Sequence, residues 1–302
     1  MGRTIVGIHW PTAFAIFVGS MIWSATAAMA TPGSQPVPYQ IGFQEAASPV
    51  ATQMHQFHNL LMVIVTIIVI FVLTLLLIII FRFNEKANPT PSRTTHNTVI
   101  EVLWTVLPVV ILVLIAIPSF KLLYLQYSYP KPDLVIKATG HQWYWTHDYP
   151  DDGEISIDSV MLDDSEIAAA RKEGLDAPRM LAVDNEVVVP LAKVVHVLVT
   201  ADDVIHAWTI PAFGVKVDAV PGRTTSTWFK ATRKGVFYGQ CSELCGRDHA
   251  RMPIAIRVVD EPVFKRWIAA MKADDEDKAK AIIIQAARDD NAPRKVAGLV
   301  AD

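Results

Sequence analysis

The hydrophobic pattern divides the chain into long apolar stretches, a region of short alternating runs, and an amphipathic end. Residues 60–81 carry no charge and are packed with Ile, Leu and Val, closing on Phe81-Arg82-Phe83. An aromatic and basic ending of that kind suits a membrane interface. At ~1.5 Å per residue such a helix crosses ~30 Å of hydrocarbon. Residues 99–123 form a second run, with Trp104 near one end and Tyr124 and Tyr127 at the other. Its Pro108 and Pro118 are tolerated in a membrane helix when neighbours satisfy the freed carbonyls. The pattern predicts membrane helices over 59–83 and 98–124, joined by a loop over 84–97. Around that loop Arg82, Lys86 and Arg93 face a single acid, Glu85. The positive-inside rule therefore puts the loop in the cytoplasm and both flanking segments outside.

An earlier apolar run, from about Ile5 to Trp23, follows Arg3 and ends in Ala25-Thr26-Ala27-Ala28-Met29-Ala30. A basic start, an apolar middle and small residues at the end describe a secretory signal over 1–30. An uncleaved first membrane helix is the alternative. Residues 31–58 then read as a periplasmic arm.

From Asp133 onward the texture becomes β. Val187-Val188-Val189, Val194-Val195-His196-Val197-Leu198-Val199 and Ile254-Ala255-Ile256-Arg257-Val258 are short β-branched runs, separated by turn signals such as Pro221-Gly222. Many short strands without intervening amphipathic helices predict a Greek-key sandwich or barrel over 131–260. Residues 162–182 read as an inserted surface loop with a brief helix at 166–172. After Glu261 an amphipathic helix (Phe264, Trp267, Ile268, Met271) leads into a mobile tail ending at residue 302.

Composition sharpens this picture. With 52% apolar and 19% charged residues among 302, membrane segments are expected. Residues 131–260 hold 14 basic and 19 acidic side chains. An acidic domain argues against nucleic acid and for a basic partner, with Asp151, Asp152, Asp184, Asp202 and Asp203 the acids of interest. Glu101 stands out near the start of the second membrane run. It is either an interfacial acid or a proton-handling group facing another subunit.

The chemistry gathers in Cys241-Ser242-Glu243-Leu244-Cys245-Gly246-Arg247-Asp248-His249-Ala250-Arg251-Met252, together with His206. Thiolate, thioether and imidazole ligands select copper over hard cations. A mononuclear blue-copper site needs one Cys, whereas Cys241 and Cys245 here can each bridge two metals. His206 and His249 would then cap one copper each. Met252 and a backbone carbonyl near Glu243 would complete the two spheres. A local disulfide would leave His249 and Met252 without a role, and zinc with two Cys and two His has little use for the Met.

Several motifs carry a family resemblance. They are Gly140-His141-Gln142-Trp143-Tyr144-Trp145, Val183-Asp184-Asn185, Asp203-Val204-Ile205-His206-Ala207-Trp208, Asp218-Ala219-Val220-Pro221-Gly222-Arg223 and Tyr238-Gly239-Gln240-Cys241-Ser242-Glu243-Leu244-Cys245-Gly246. With the hairpin segment from Glu101 to Pro108, they make the chain resemble subunit II of haem–copper cytochrome c oxidases over nearly its whole length. The signal segment and the 162–182 insertion resemble bacterial versions. The resemblance implies a two-helix transmembrane hairpin followed by an all-β, cupredoxin-like Greek-key barrel. It implies two copper ions (CuA) on His206, Cys241, the Glu243 carbonyl, Cys245, His249 and Met252. The Glu243 side chain would reach a Mg²⁺ shared with subunit I. Trp143 would receive electrons from cytochrome c, Asp184 and Asp203 would help dock it, and Glu101 would lie at the mouth of a proton channel. Oxygen would be reduced to water, with proton pumping, in the haem-bearing subunit I. The chain would sit in the bacterial inner membrane, among lipid and the other oxidase subunits, with its C-terminal domain in the periplasm. A quinol oxidase subunit would lack these copper donors. A copper-delivery protein, or the CuA domain of a nitrous-oxide-reducing enzyme, would lack the hairpin.

Overall fold

The computed structural model describes residues 33–153 and 155–291. The signal segment expected over 1–30 and the last residues of the expected tail lie outside them. Two long helices come first: α1 (Pro49–Arg82) and α2 (Thr98–Gln126). Both are long and apolar enough to cross a membrane, and their Ile, Leu, Val and Phe side chains point outward. α2 stays helical through Pro108 and Pro118.

α1 starts ten residues ahead of the helix start predicted at residue 59. Ser48 caps it, its Oγ accepting from the Ala51 amide at 3.0 Å, and Pro49 occupies the first turn. That pairing is a strong local start signal. Ser48 Oγ also donates to the Phe213 carbonyl at 2.7 Å, and the Ala47 amide donates to Ala212 at 2.8 Å. At ~1.5 Å per residue, 34 residues span more than the ~30 Å of hydrocarbon. The first turns of α1 are therefore the part that packs on the β domain, with Val50 and Ala51 buried there. α2 is tied to the same domain at its other end, where Trp228 Nε1 donates to Gln126 O at 3.0 Å and Tyr129 donates to Ser226 O at 2.8 Å.

The β domain contains two facing sheets and a ribbon. Its strands are β1 (Gly33–Ser34), β2 (Leu134–His141), β3 (Tyr144–Tyr149), β4 (Ile155–Ser159), β5 (Val187–Pro190), β6 (Val194–Ala201), β7 (His206–Ile210), β8 (Val215–Ala219), β9 (Thr225–Lys230), β10 (Gly235–Gln240) and β11 (Pro253–Val259). One sheet runs β1-β10-β11-β5, the other β4-β3-β2-β6-β9, and β7-β8 form the ribbon. Pairing is mixed: β2–β6 and β11–β5 are parallel, and β2–β3, β6–β9 and β10–β11 antiparallel. Alternate residues of β2, β3 and β6 point inward, as half-buried strands require. Trp145, Tyr149, Trp208, Phe213, Phe229 and Phe237 fill the space between the layers.

The insertion contains one helix, α3 (Asp164–Glu173), closed by a capping box between Asp163 and Glu166 and ended by Gly174. At the C-terminus the amphipathic segment is α4 (Glu261–Lys272), with Trp267 and Ile268 buried. A mobile tail was expected beyond it, but a further helix, α5 (Glu276–Asn291), follows. Its Ala279, Ala286 and Ala287 are buried, and Arg288 donates to the Glu173 carbonyl at the end of α3. The charged residues hid a stripe of small apolar ones wide enough to dock.

Candidate metal centre

Three chain segments meet at one tip of the β domain. The β10–β11 connection brings Cys241 through Met252, the first residue of β7 brings His206, and the β2–β3 turn covers both. The two cysteine sulfurs lie 3.8 Å apart. A disulfide needs ~2.05 Å, so the thiols are not joined. His206 Nδ1 lies 3.8 Å from Cys241 Sγ and His249 Nδ1 lies 3.4 Å from Cys245 Sγ. Met252 Sδ lies 3.5 Å from Cys245 Sγ, and the Glu243 carbonyl lies 3.3 Å from Cys241 Sγ. All six donors proposed from the sequence thus converge on the sulfur pair. His206, Cys241 and Cys245 keep their ligating atoms within 4.8 Å of one another. With metal–thiolate bonds of ~2.3 Å, two sulfurs at this spacing can reach the same ion.

The loop is pinned at both ends. The Cys241 amide donates to Met252 O at 3.3 Å and the Ser242 amide to Ala207 O at 3.1 Å. Trp145 Nε1 also donates to Met252 O. Cys241, Cys245, Met252 and His206 are all buried. Burial raises the Cys241 thiol, but hydrogen bonding with His206 and contacts at Glu243 and Ala207 outweigh it and hold that thiol below its ordinary value. Cys245 is pushed up, first by burial and then by the charge of Cys241. Two thiolates this close oppose one another, and a soft cation between them relieves the opposition. Burial also works to lower His206, but Cys241 and Asp203 win and raise it. The donor set and its electrostatics therefore suit a thiolate-binding metal.

The other residues named from the sequence occupy distinct positions. Trp143 is not in a strand. His141 pairs with Tyr144, so Gln142 and Trp143 form the two-residue turn between β2 and β3. Trp145, on β3, is the core tryptophan, fully buried, while Trp143 is half-buried at the tip. Trp143 Nε1 donates to the Cys245 carbonyl at 3.2 Å, and Gln142 Nε2 donates to the same oxygen at 2.9 Å. Asp203 faces inward as well as outward. It accepts from His206 Nε2 at 2.9 Å, the Gln142 amide at 2.7 Å and the Val204 amide at 2.6 Å. Asp184 caps backbone, accepting from the Val160 and Asn185 amides. Asp202 is exposed, 3.9 Å from His141 Nδ1. Glu101 lies in the first turn of α2, far along the chain from the metal donors, where the helix dipole favours a carboxylate. His147 and His196 are structural: His147 accepts from Trp208 Nε1, and His196 Nε2 contacts Pro130 O at 2.7 Å. Gln142 was the residue that sequence order concealed, and its position beside Trp143 was the only signal for it.

Comparison with known proteins decides the family. A model of the cytochrome c oxidase subunit II periplasmic domain matches residues 134–259, and one of the transmembrane domain of that subunit matches residues 36–122. The chain belongs to the cytochrome c oxidase subunit II family. It is similar to the probable cytochrome c oxidase subunit 2 of Rickettsia conorii, with 49% identity over 237 residues, covering 78% of this chain and 73% of that protein. Similarity to the cytochrome c oxidase subunit 2 of Cereibacter sphaeroides is 45% over 262 residues, 81% of this chain and 86% of that one. A crystal structure of the periplasmic domain of subunit II of cytochrome oxidase (CoxB) of Bradyrhizobium japonicum is 56% identical, covering 48% of this chain and 97% of that chain, with a TM-score of 0.44. As a family member the chain is a subunit of a terminal oxidase, a membrane protein with two spanning helices and a C-terminal periplasmic domain.

Proposed function

We propose that this subunit accepts electrons from cytochrome c at a binuclear copper centre, CuA, and passes them to the haems of subunit I, where oxygen is reduced to water with proton pumping. The observation that carries the proposal is the convergence of two thiols, two imidazoles, a thioether and a carbonyl on one sulfur pair 3.8 Å across. His206, Cys241, Cys245, His249, Met252 and the Glu243 carbonyl would hold the two ions. The copper would supply a one-electron acceptor whose charge is shared over two metals, and this chain's residues would hold it.

The chain's own residues supply the rest. The two sheets hold the ligands stiffly; Trp145 Nε1 donates to the Met252 carbonyl and His206 Nε2 donates to Asp203, and these bonds orient the two ligand residues. Trp143 donates to the carbonyl of a ligand, Cys245, which makes it a short route for electrons from the surface. The exposed Glu243 carboxylate, on the residue whose carbonyl faces Cys241, fits a Mg²⁺ shared with subunit I. Asp202, Asp203 and Asp184 add negative charge that would steer basic cytochrome c. Glu101 fits a proton-uptake role at the other end of α2. The loop 84–97 would face the cytoplasm of a bacterial inner membrane, and residues 1–30 would be removed as a signal peptide.

A quinol oxidase subunit would not need the full donor set, and a copper-delivery module would not need the hairpin. Copper content and an EPR spectrum of the purified protein test the proposal. Two coppers per chain with one unpaired electron shared over both are expected. One copper with a localised signal, or zinc, would overturn it.

A further inference from the structure

Arg247 lies between two of the metal donors, Cys245 and His249, and its side chain is 82% exposed. Instead of extending into solvent, its guanidinium carbon lies 5.4 Å from the centre of the Trp143 ring. Asp248 holds it there, its Oδ2 accepting from Nε at 3.0 Å and from Nη2 at 2.9 Å. The indole is thus fixed on several sides. Its nitrogen is bonded to the Cys245 carbonyl, and one edge meets Gly246, where an added Cβ would stand 3.0 Å from Trp143 Cζ2. The guanidinium covers a face. On the same donor segments Leu244, beside Cys245, is 78% exposed and Ile205, beside His206, is 48% exposed. The acids Asp202, Asp203 and Glu243 are exposed as well, and Asp203 accepts from the Gln142 amide, next to Trp143 in the chain, at 2.7 Å.

A partner approaching Trp143 therefore meets exposed acids and apolar side chains together with a guanidinium over the ring. Asp248 engages Nε and Nη2, and the remaining guanidinium N–H groups are left to meet a carboxylate or carbonyl of a partner. We infer that Arg247 is a specificity-determining residue of the electron-accepting surface, selecting, among basic carrier proteins, those that present a carboxylate or neutral acceptor opposite Trp143. The inference rests on the proposed role of Trp143 and deepens it by naming the chemistry of the donor face.

One charge ~7 Å from an oppositely or similarly charged group at the water-exposed contact changes association about threefold, and reversal changes it about tenfold. The test uses the intact oxidase carrying Arg247→Gln, Arg247→Glu or Trp143→Phe. The probes are two reduced cytochromes c, one whose contact face is basic throughout and one with an acidic group at its centre. At low salt, Arg247→Gln should raise kcat/KM for the all-basic carrier relative to the other by about threefold, and Arg247→Glu by about tenfold. Both differences should shrink as salt screens them. The copper EPR signal should stay as in the parent protein. A carrier ratio that neither variant moves would overturn the role of Arg247, as would a changed copper signal, which would make Arg247 part of the centre's scaffold. The underlying reading fails separately: Trp143→Phe should slow both carriers severely, and unchanged turnover with both would remove Trp143 from the route, and Arg247 with it.

Discussion

Replacing Gly140 with alanine puts a methyl group into a confined space behind His206. A Cβ at Gly140 would stand 2.9 Å from His206 Cδ2, 3.0 Å from His206 Cγ and 3.1 Å from Trp145 Cζ3. Carbon atoms in ordinary contact sit ~3.5–4.0 Å apart, so the neighbours must yield by about 0.5 Å. Neither ring has room to move outward, because His206 and Trp145 are both fully buried. Overpacking of this kind costs ~1–3 kcal/mol. Alanine regains ~0.4–1 kcal/mol by restricting the unfolded chain, which the overpacking outweighs or nearly matches. The functional effect is more diagnostic. If His206 absorbs the displacement, Nδ1 shifts by more than the ~0.2 Å that a metal–ligand bond tolerates. A disturbed ligand orientation typically lowers metal affinity ~10–100-fold. Gly140→Ala should therefore bind copper ~10–100-fold more weakly in a competition titration while the apoprotein's denaturant midpoint falls only modestly. Parent-like copper affinity together with a parent-like EPR spectrum would refute the account, because it would mean that β2 moves aside at no cost to His206.

Three further outcomes follow from named contacts. Burial holds His147 down at about 3 against an ordinary value of 6.5, so the unfolded chain binds the extra proton first as pH falls. Stability from this residue is complete above pH ~6.5 and is lost towards pH ~3 at up to ~1.4 kcal/mol per unit; denaturant midpoints measured from pH 7 to 4 should show a shallower slope in His147→Gln, and identical slopes would exclude His147 as the source. Asp203→Ala removes an acceptor for three hydrogen bonds, including the one from His206 Nε2. It should weaken copper binding ~10-fold as well as alter the salt dependence of cytochrome c oxidation; a change in the salt curve alone would leave Asp203 as a docking charge. Glu101→Ala should lower steady-state oxidase turnover while stopped-flow reduction of the copper centre stays fast, and an equal loss in both rates would contradict a proton role.

Much of this molecule was legible in residue order because the relevant physics is local. Hydrophobic length fixed the two membrane helices, since ~20 apolar residues without charge have few other stable homes in a chain. β-branched runs between turn signals gave the strands, and the Cys241–Met252 spacing put five of the six proposed metal donors on one loop. What residue order left open depended on which distant segments meet. The start of α1 at Pro49 follows from Ser48 bonding both Ala51 and Phe213, a contact spanning most of the β domain. α5 forms because its small apolar residues find a surface to cover. Trp143 and Trp145 look alike in the sequence, yet a tight turn leaves the first at the tip and the next strand buries the second. Asp203 reads as a surface acid until β7 brings His206 within 2.9 Å of it. Composition and spacing by themselves determined most of the elements, though not α5, and grouped the candidate metal-binding atoms on one loop. Only the tertiary structure decided which side chains orient those atoms and which face a partner, because burial and hydrogen-bond pairing belong to the packed chain and not to any stretch of it.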